Sequence, residues 1–319
     1  MKVDAIFEGG GVRGIAFAGA VSCLEDRGYE FQRLAGTSAG AVMAALLAAG
    51  YTAKELSAFA DTDFSRFLDR DLIQSIPLLG KPLGLLLEKG LYQGDCIEEW
   101  MHGLLMKKGR TKFKDVMPEG ESRLKIIASD VTKKKIVILP DDLPEYGFDP
   151  MEFEIAKAVR MSASLPLFFC PVIIGYDRCE SCIVDGGVLS NFPVWIFDVD
   201  GAPRWPTFGF RLVDFSERSC SAGKTDLLSY AFDILGAMID VDQSVFMRDK
   251  DSVRTVSIPT RGIEATDFNL SPMDAFRLFQ SGYESCQRFL KDWDFQGYIS
   301  KYRRNGSRDR QQAYFKTIG

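Results

Sequence analysis

Residues 3–50 read VDAIFEGGGVRGIAFAGAVSCLEDRGYEFQRLAGTSAGAVMAALLAAG. Val3 to Phe7 form a short apolar run typical of a buried strand, and the glycine cluster after it leads into a helical pattern that Gly28 ends. Phe31 to Ala35 predict a second strand, which is followed by an apolar, buried helix ending at Gly50. Because strands that alternate with helices build parallel sheets, we predict an α/β fold with a mainly parallel central sheet between helix layers.

The rest of the chain shows no linker or internal repeat. Thr52 and Glu55 have the spacing of a capping box and predict a helix to about Ala60. Apolar residues spaced by three and four from Phe276 to Trp293 predict a long amphipathic helix that packs on the domain. Further helices are predicted over residues 93–106 and 153–161, and further strands over residues 124–128, 136–139, 183–185 and 208–212. We therefore predict one domain over residues 1–319, with a helical C-terminal part over residues 215–319.

Composition restricts the class of protein. With 319 residues, 46% of them apolar and 26% charged, the chain is long enough for one large α/β domain or two small ones. A formal net charge of −5 argues against a nucleic-acid partner. Seven cysteines without disulfide spacing, and an N-terminus leading straight into a strand, predict a cytoplasmic protein. The longest apolar stretch, Ala39 to Tyr51, is too short to span a bilayer, so any membrane contact is predicted to be peripheral.

The segment Gly36-Thr37-Ser38-Ala39-Gly40 carries the first candidate for chemistry. It is a Gly-x-Ser-x-Gly sequence between a predicted strand and a predicted helix, which is the context of a nucleophile elbow. The turn would place Ser38 at a helix N-terminus, where backbone N–H groups such as that of Ala39 favour a developing oxyanion. The alternative is a turn of small residues that only permits close packing.

A nucleophilic serine needs a base, and the chain contains a single histidine, His102. His102 lies within a predicted helix without a supporting motif, so we predict an ordinary helix residue and a carboxylate base. Asp185 is the leading candidate because it ends the strand pattern Ile183-Val184 and precedes Gly186-Gly187. The residues alone favour an ordinary Asp-Gly turn at this position.

Three motifs together carry a family resemblance. Gly9-Gly10-Gly11-Val12-Arg13-Gly14, Gly36-Thr37-Ser38-Ala39-Gly40 and Asp185-Gly186-Gly187 resemble the patatin-like phospholipase family, in particular its bacterial members, in order and approximate spacing. The resemblance extends over residues 3–193 and includes two further landmarks, Ser162-Ala163-Ser164-Leu165-Pro166 and Ser190-Asn191-Phe192-Pro193.

The resemblance implies a serine acyl hydrolase that releases fatty acids from glycerophospholipids, or from other acyl lipids, through an acyl-serine intermediate. It implies Ser38 as nucleophile and Asp185 as general base, without a metal or a cofactor. The oxyanion hole would use backbone N–H groups of Gly10, Gly11 and Val12, with Arg13 supporting the loop. The implied partner is a lipid substrate, chiefly membrane phospholipid, and the long C-terminal helix could mediate a homodimer.

Two other functions stay open from the sequence. Gly9, Gly11 and Gly14 also fit the Gly-x-Gly-x-x-Gly pattern of a Rossmann dinucleotide-binding enzyme, but the second predicted strand ends in Leu34-Ala35-Gly36 without the acidic residue that such enzymes place there. The second alternative is a catalytically silent lipid-binding or membrane-recruited protein, in which the same pocket holds acyl chains without cleaving them.

Three further features of the sequence have alternative interpretations. Apolar residues interrupted by Pro and Gly from Asp71 to Tyr92 predict an irregular flap, which is either an acyl-channel lid, an interfacial docking surface or a cover over the core. Cys179 and Cys182 have redox or zinc spacing, but a second pair and a nearby histidine are missing from the sequence, which favours coincidence. Lys133 to Lys135 and the basic tail of the chain are interpreted as solvated.

Overall fold

The computed structural model describes residues 1–58, 64–67, 89–117, 122–177, 179–214 and 247–303. The strands within these ranges are β1 Lys2–Phe7, β2 Glu30–Thr37, β3 Gly90–Tyr92, β4 Leu124–Asp130, β5 Lys135–Leu139, β6 Leu167–Phe169, β7 Val172–Tyr176, β8 Cys179–Asp185, β9 Thr207–Val213 and β10 Thr255–Pro259. The helices are α1 Ile15–Asp26, α2 Ala39–Ala48, α3 Ala53–Ser57, α4 Asp95–Lys107, α5 Ile155–Ser162, α6 Asp249–Ser252, α7 Pro272–Asp292 and α8 Phe295–Tyr302.

The central sheet has eight strands and runs in the order β10-β9-β1-β2-β4-β8-β7, with β5 also paired to β4. The five strands from β10 to β4 are parallel, whereas β5 and β8 pair with β4 in the antiparallel sense. A separate two-stranded parallel sheet joins β3 to β6. The predicted α/β fold with a mainly parallel central sheet and flanking helices is therefore confirmed.

The central strand β1 is buried on both faces, as expected of a parallel sheet covered on both sides. Val3, Ala5 and Phe7 belong to the large core that includes the helices, while Ile6 belongs to a second core with residues 192–197. Capping also follows the sequence, because the hydroxyl of Thr52 accepts the N–H of Glu55 at 3.3 Å and the Glu55 carboxylate accepts the N–H of Thr52 at 2.9 Å.

The predicted amphipathic helix near the end of the chain is α7, and its apolar face packs on α1. Glycines make this crossing very close, because a Cβ atom on Gly19 would lie 1.9 Å from the carbonyl oxygen of Phe279. A Cβ atom on Gly282 would lie 1.8 Å from the carbonyl oxygen of Ala16. Neither position can hold a larger residue without moving α1 and α7 apart. The two glycines therefore permit the close packing of α7 on α1.

Two parts of the sequence-based description need correction. The C-terminal part was predicted to be helical, but it also supplies strand β10, which pairs with β9 at the end of the sheet. Strand β7, which pairs with β8, was not predicted either. Both strands are only five residues long and carry no periodic pattern distinct from a loop. The predicted flap falls outside the described residues except for its last four, which contain β3.

Within the part of the chain that the structure describes, no helix is both long enough and apolar enough to cross a membrane.

A partly buried charge cluster joins the end of the sheet to the last helix. The carboxylate of Asp198 accepts hydrogen bonds from Arg254 at 2.7 Å, from Arg303 at 2.7 Å and from Lys250 at 2.8 Å. Burial alone would raise the pKa of Asp198, but these cations outweigh it and lower the pKa to about 2. Asp198 therefore stabilises the fold above its ordinary pKa of 3.8, and this contribution is lost as the pH falls through about 2.

We expect Asp198→Asn to lower the free energy of unfolding by about 2 kcal/mol at pH 7, because the buried Arg254 then keeps only its pair with Asp251 and the charge of Asp198 is lost to all three cations. Urea unfolding followed by circular dichroism measures the change. Asp141→Asn is the control, since Asp141 pairs with Lys125 at a site where its own side chain is 51% exposed, and such pairs contribute less than about 1 kcal/mol. Equal effects of the two substitutions would contradict the role given to the Asp198 cluster.

Candidate active site

Strands β2 and β8 bring the two predicted dyad residues together on one edge of β4. Strand β2 ends with Thr37 opposite Ile127, and β8 ends with Asp185 opposite Ala128, the next residue of β4. Because β5 covers residues 126–130 along the other edge of β4, β2 and β8 share the remaining edge and meet end to end. Ser38 follows Thr37 directly, so Ser38 and Asp185 both lie at this junction.

Ser38 has the backbone conformation of a nucleophile elbow, with φ 54° and ψ −121°. A non-glycine residue in this region carries strain of about 1–3 kcal/mol, which a native structure keeps where the surroundings enforce it. The flanking glycines allow the turn, because a Cβ atom on Gly36 would lie 2.1 Å from the carbonyl oxygen of Gly40. The turn ends β2 and starts α2, so Ser38 stands at the N-terminus of an almost wholly apolar helix.

Asp185 is buried, with 3% of its surface exposed. Its carboxylate accepts the N–H of Gly187 at 2.8 Å. Desolvation raises the pKa of Asp185 from 3.8 to about 6, and the Gly187 N–H and the nearby Ser38 side chain oppose this rise only in part. The fold therefore makes Asp185 a stronger base than an exposed carboxylate and places it beside Ser38.

The glycine loop lies directly beside the elbow. A Cβ atom on Gly9 would lie 3.3 Å from the Cβ atom of Ser38, and one on Gly14 would lie 2.9 Å from that of Ala39. Gly11 has a φ of 56° and faces the carbonyl oxygen of Ala265 so closely that a side chain at this position has no room. The loop is thus a backbone surface next to Ser38.

The backbone N–H groups of the glycine loop and the elbow differ in whether they already have a hydrogen-bond acceptor. Among the described residues, no acceptor is found for the N–H groups of Gly10, Gly11 and Ala39. The N–H of Val12 instead donates to the carbonyl oxygen of Ala265 at 3.1 Å. The resemblance implied that the Val12 N–H would be one donor of the oxyanion hole. This N–H already donates to Ala265, so it is not available to a substrate oxygen. This partner lies in a distant loop, and the local sequence contains no sign of it.

Arg13 contacts the backbone of the glycine loop. It is 93% buried, and its Nε donates to the carbonyl oxygen of Gly10 at 3.2 Å. That bond holds the peptide that contains the Gly11 N–H, since the Gly10 carbonyl and the Gly11 nitrogen share one planar unit. Arg13 thus fixes the direction of an N–H group in the predicted oxyanion hole.

A cavity with a mainly apolar lining opens at Ser38 and Asp185. One face of α2 forms a wall, because Ala39, Val42, Met43 and Leu46 all line the cavity and are spaced by three and four residues. This wall extends over about 10 Å of helix. The remaining apolar lining comes largely from side chains of other elements, among them Ile15, Leu56, Phe67, Ile97, Trp100, Leu165, Phe169, Phe268 and Phe279.

Asn191 is a part of the site to which the sequence assigned no role. Its carbonyl oxygen accepts the N–H of Gly9 at 3.2 Å, and its side-chain amide donates to the carbonyl oxygen of Gly9 at 3.4 Å. Asn191 therefore joins the glycine loop to the segment that follows Asp185. The segment Ser190-Asn191-Phe192-Pro193 belongs to the family resemblance, but its sequence gave no indication of the contact with Gly9.

His102 and the cysteine pair lie outside the cavity lining. The His102 side chain is 43% exposed on α4, with its Nδ1 3.6 Å from the carboxylate of Glu154, as predicted for an ordinary helix residue. Cys179 and Cys182 are free thiols on strand β8. Among the described residues, no cluster of His, Cys, Asp and Glu side chains has the arrangement of a metal site.

Comparison with known proteins gives consistent results. The sequence profile of the patatin-like phospholipase family matches residues 5–198. YqhO of Bacillus subtilis, described as an uncharacterized protein, is 38% identical over 306 residues, which cover 92% of this chain and 100% of the relative. The probable lipid hydrolase 463L of Invertebrate iridescent virus 6 is 28% identical over 193 residues, which cover 59% of this chain and 61% of that protein.

Among solved structures, VipD from Legionella pneumophila superposes with a TM-score of 0.52 at 17% identity, over 90% of this chain and 66% of VipD. This likeness concerns the fold alone. The profile match extends over more than half of the chain and contains the glycine loop, the elbow and the Asp185 motif. It excludes the dinucleotide-binding alternative, and the chain belongs to the patatin-like phospholipase family.

Proposed function

We propose that this protein is a serine acyl hydrolase that releases fatty acids from glycerophospholipids, using Ser38 as nucleophile and Asp185 as base. The observation that carries the proposal is the placement of Ser38 beside a buried carboxylate of raised pKa, with both residues lining an apolar cavity. An ester bond placed at Ser38 would have its acyl chain along the α2 wall. Neutral acylglycerols and acyl thioesters offer the same acyl group and are the next candidates.

The first half of the reaction forms an acyl-serine. Asp185 accepts the proton of the Ser38 hydroxyl as Oγ attacks the ester carbonyl, and the carbonyl oxygen becomes an oxyanion. When this intermediate collapses, the bond to the alcohol breaks, and the leaving lysolipid or alcohol takes the proton back from Asp185. In the second half, Asp185 accepts a proton from a water molecule, and the water oxygen attacks the acyl carbonyl of the acyl-serine. When this second intermediate collapses, the bond to Ser38 Oγ breaks, Oγ takes the proton back from Asp185, and the fatty acid is released.

The oxyanion would be stabilised by the N–H groups of Gly10 and Gly11, with Ala39 N–H at the start of α2 as a third donor. These groups lack acceptors among the described residues, so they are available to a substrate oxygen without breaking an existing bond. The dipole of α2 adds a favourable potential at its N-terminus.

Covalent labelling tests the nucleophile directly. A fluorophosphonate probe should attach to one peptide, and tandem mass spectrometry should place it on Ser38, while the cavity residue Ser57 in the same digest stays unlabelled. The same preparation should release fatty acids from phosphatidylcholine and phosphatidylglycerol vesicles with excess chelator present. Labelling elsewhere, or no labelling of folded protein, would refute the assignment of Ser38.

The alternative of a silent lipid-binding protein has a distinct outcome. Such a protein would sediment with vesicles but would neither react with the probe nor release fatty acid. Hydrolysis that occurs with triacylglycerol emulsions and not with phospholipid vesicles would keep the acyl-serine mechanism and change the substrate class.

The raised pKa of Asp185 sets the expected pH dependence. Asp185 works as a base only when it is ionised, so kcat/KM should be constant well above pH 6 and fall about tenfold per pH unit well below it. A neutral ester such as p-nitrophenyl butyrate avoids titration of the substrate. Samples held at pH 5 and returned to pH 8 should regain full activity, which separates titration from unfolding. A profile that stays flat down to pH 4.5 would contradict the assignment of Asp185.

A further inference from the structure

The segment Ser162-Ala163-Ser164, at the end of α5, contacts both residues of the proposed dyad. The Oγ of Ser162 accepts the backbone N–H of Ser38 at 2.9 Å. Two residues later, the carbonyl oxygen of Ser164 accepts the backbone N–H of Asp185 at 2.9 Å. One short segment therefore holds the backbone of the nucleophile and the backbone of the base.

Ser162 occupies the point where the ladder between β2 and β4 stops. Thr37 and Ile127 form the last pair of that ladder, and the chain then leaves the sheet at Ser38. The Ser162 hydroxyl bridges the gap, because it accepts the N–H of Ser38 and donates to the carbonyl oxygen of Ile127 at 2.5 Å. A buried N–H and a buried carbonyl both need partners, so this hydroxyl lets Ser38 turn outward without leaving either group unsatisfied.

The segment is itself firmly anchored. The Oγ of Ser164 donates to the carbonyl oxygen of Arg160 at 2.7 Å and accepts from the Arg160 guanidinium at 2.5 Å. Arg160 is 3% exposed and also donates to the carbonyl oxygen of Cys170 at 2.8 Å. Ser162 and Ser164 are fully buried. Solvent therefore has no access to replace the two serine hydroxyls.

We propose that Ser162 is a positioning residue for acyl transfer, which sets the direction of the Ser38 side chain through the Ser38 backbone. The inference rests on the proposed function of the Ser38–Asp185 dyad. Ser162 is not among the residues that line the cavity, so it acts on the rate without contact to the substrate. The Ser164 carbonyl holds Asp185 in the same way, and the segment between them determines the separation of the two side chains.

A residue that only stabilises the fold would give a different result from a positioning residue. Loss of stability lowers the number of active molecules, but each folded molecule keeps its kcat. Loss of positioning lowers kcat in every folded molecule, because a displacement of about 1 Å at the reacting atoms costs about 100-fold in rate. The number of active sites is measured by the fluorophosphonate that is bound at completion.

The test uses Ser162→Ala, with Ser281→Ala as its matched control. Ser281 is 2% exposed, and its hydroxyl donates to the carbonyl oxygen of Pro259 at 2.7 Å, on α7 and outside the cavity lining. We expect Ser162→Ala to lower kcat per active site on p-nitrophenyl butyrate by about 10- to 100-fold, with KM changed less than about twofold. Ser281→Ala should lower the melting temperature by a similar amount and leave kcat per active site unchanged.

Two more variants complete the test. Ser162→Cys keeps the size of the side chain with a weaker hydrogen-bonding group and should also lower kcat, which keeps the inference testable if the alanine variant does not fold. Ser162→Thr retains a hydroxyl and should recover more activity than Ser162→Cys. Native kcat per active site in Ser162→Ala or Ser162→Cys would overturn the inference while leaving the proposed function intact. A wild-type protein without esterase activity would refute both.

Discussion

Ser38→Ala should lower the rate of fatty-acid release from phospholipid vesicles by at least about 1,000-fold. The physical reason is that the substitution removes the only atom proposed to bond covalently to the substrate. The oxyanion donors and the cavity remain, but without a nucleophile they act only on the slow attack by water. Ala is smaller than Ser and equally compatible with burial, so the variant should fold and should bind vesicles as the native protein does.

The matched control is Ser57→Ala, which makes the same substitution in the same cavity. The Ser57 hydroxyl donates to the carbonyl oxygen of Lys54 at 2.8 Å within its own turn. This variant should keep nearly full activity and full reaction with the fluorophosphonate. If Ser38→Ala kept more than about a tenth of the native rate in a preparation free of contaminating hydrolases, the acyl-serine mechanism would be wrong.

Asp185→Asn should have the second large effect, a loss of about 1,000-fold or more in kcat. The amide of Asn can accept the N–H of Gly187 and is nearly the same size as the carboxylate, so the geometry should survive. It cannot accept a proton from Ser38, because an amide is not a base near neutral pH. The variant should also lose most of its reaction with fluorophosphonate, which depends on an activated serine.

The same substitution should increase stability. Burial raises the pKa of Asp185 from 3.8 to about 6, so the native state at pH 8 holds a carboxylate that would be better solvated in the unfolded chain. A group whose pKa is raised by folding lowers stability above that pKa, here by about 3 kcal/mol. Asp185→Asn removes this cost, and urea unfolding at pH 8 should show a gain of the same order. At pH 4 the gain should largely disappear.

Asp130→Asn provides a control of opposite sign. Asp130 is fully buried on β4, but its carboxylate accepts the N–H groups of Thr132 and Lys133, each at 2.9 Å, and the hydroxyl of Tyr146 at 3.0 Å. This variant should lose about 1 kcal/mol of stability, since hydrogen bonds to a charged group are exchanged for weaker ones. It should retain activity. A gain in stability for Asp130→Asn and not for Asp185→Asn would mean that the energetic cost was assigned to the wrong carboxylate.

Local sequence predicted the parts of the site that local geometry controls. The Gly-x-Ser-x-Gly segment requires a sharp turn between strand and helix, and Ser38 has the positive φ of that turn. The glycine run before α1 likewise predicted a loop, and the structure places it beside Ser38. Because the chain has a single histidine without a supporting motif, the sequence also predicted a carboxylate as the base. For the elbow and the glycine loop, the signal lies in a few neighbouring residues whose allowed backbone conformations are few.

Asp185 illustrates where local information ends. Its Asp-Gly sequence is equally typical of a common turn, and only the family resemblance predicted a role in the dyad. The structure supplies the reason for its position, because β8 pairs with β4 on the edge that β2 leaves free after Thr37. That pairing joins segments separated by more than 50 residues along the chain, and no local pattern of residues specifies the partner of a strand.

The sequence by itself determined the α/β class, the elbow at Ser38 and the glycine loop, since these follow from side-chain periodicity and from backbone conformations that few residues tolerate. The tertiary structure alone decided that β2 and β8 meet end to end, that Ala265 uses the N–H of Val12, and that Ser162 bridges Ser38 and Ile127. These contacts depend on buried hydrogen-bonding groups finding partners across the whole fold. Local motifs do not specify which distant residues become hydrogen-bond partners, because these contacts form only when packing brings distant segments together.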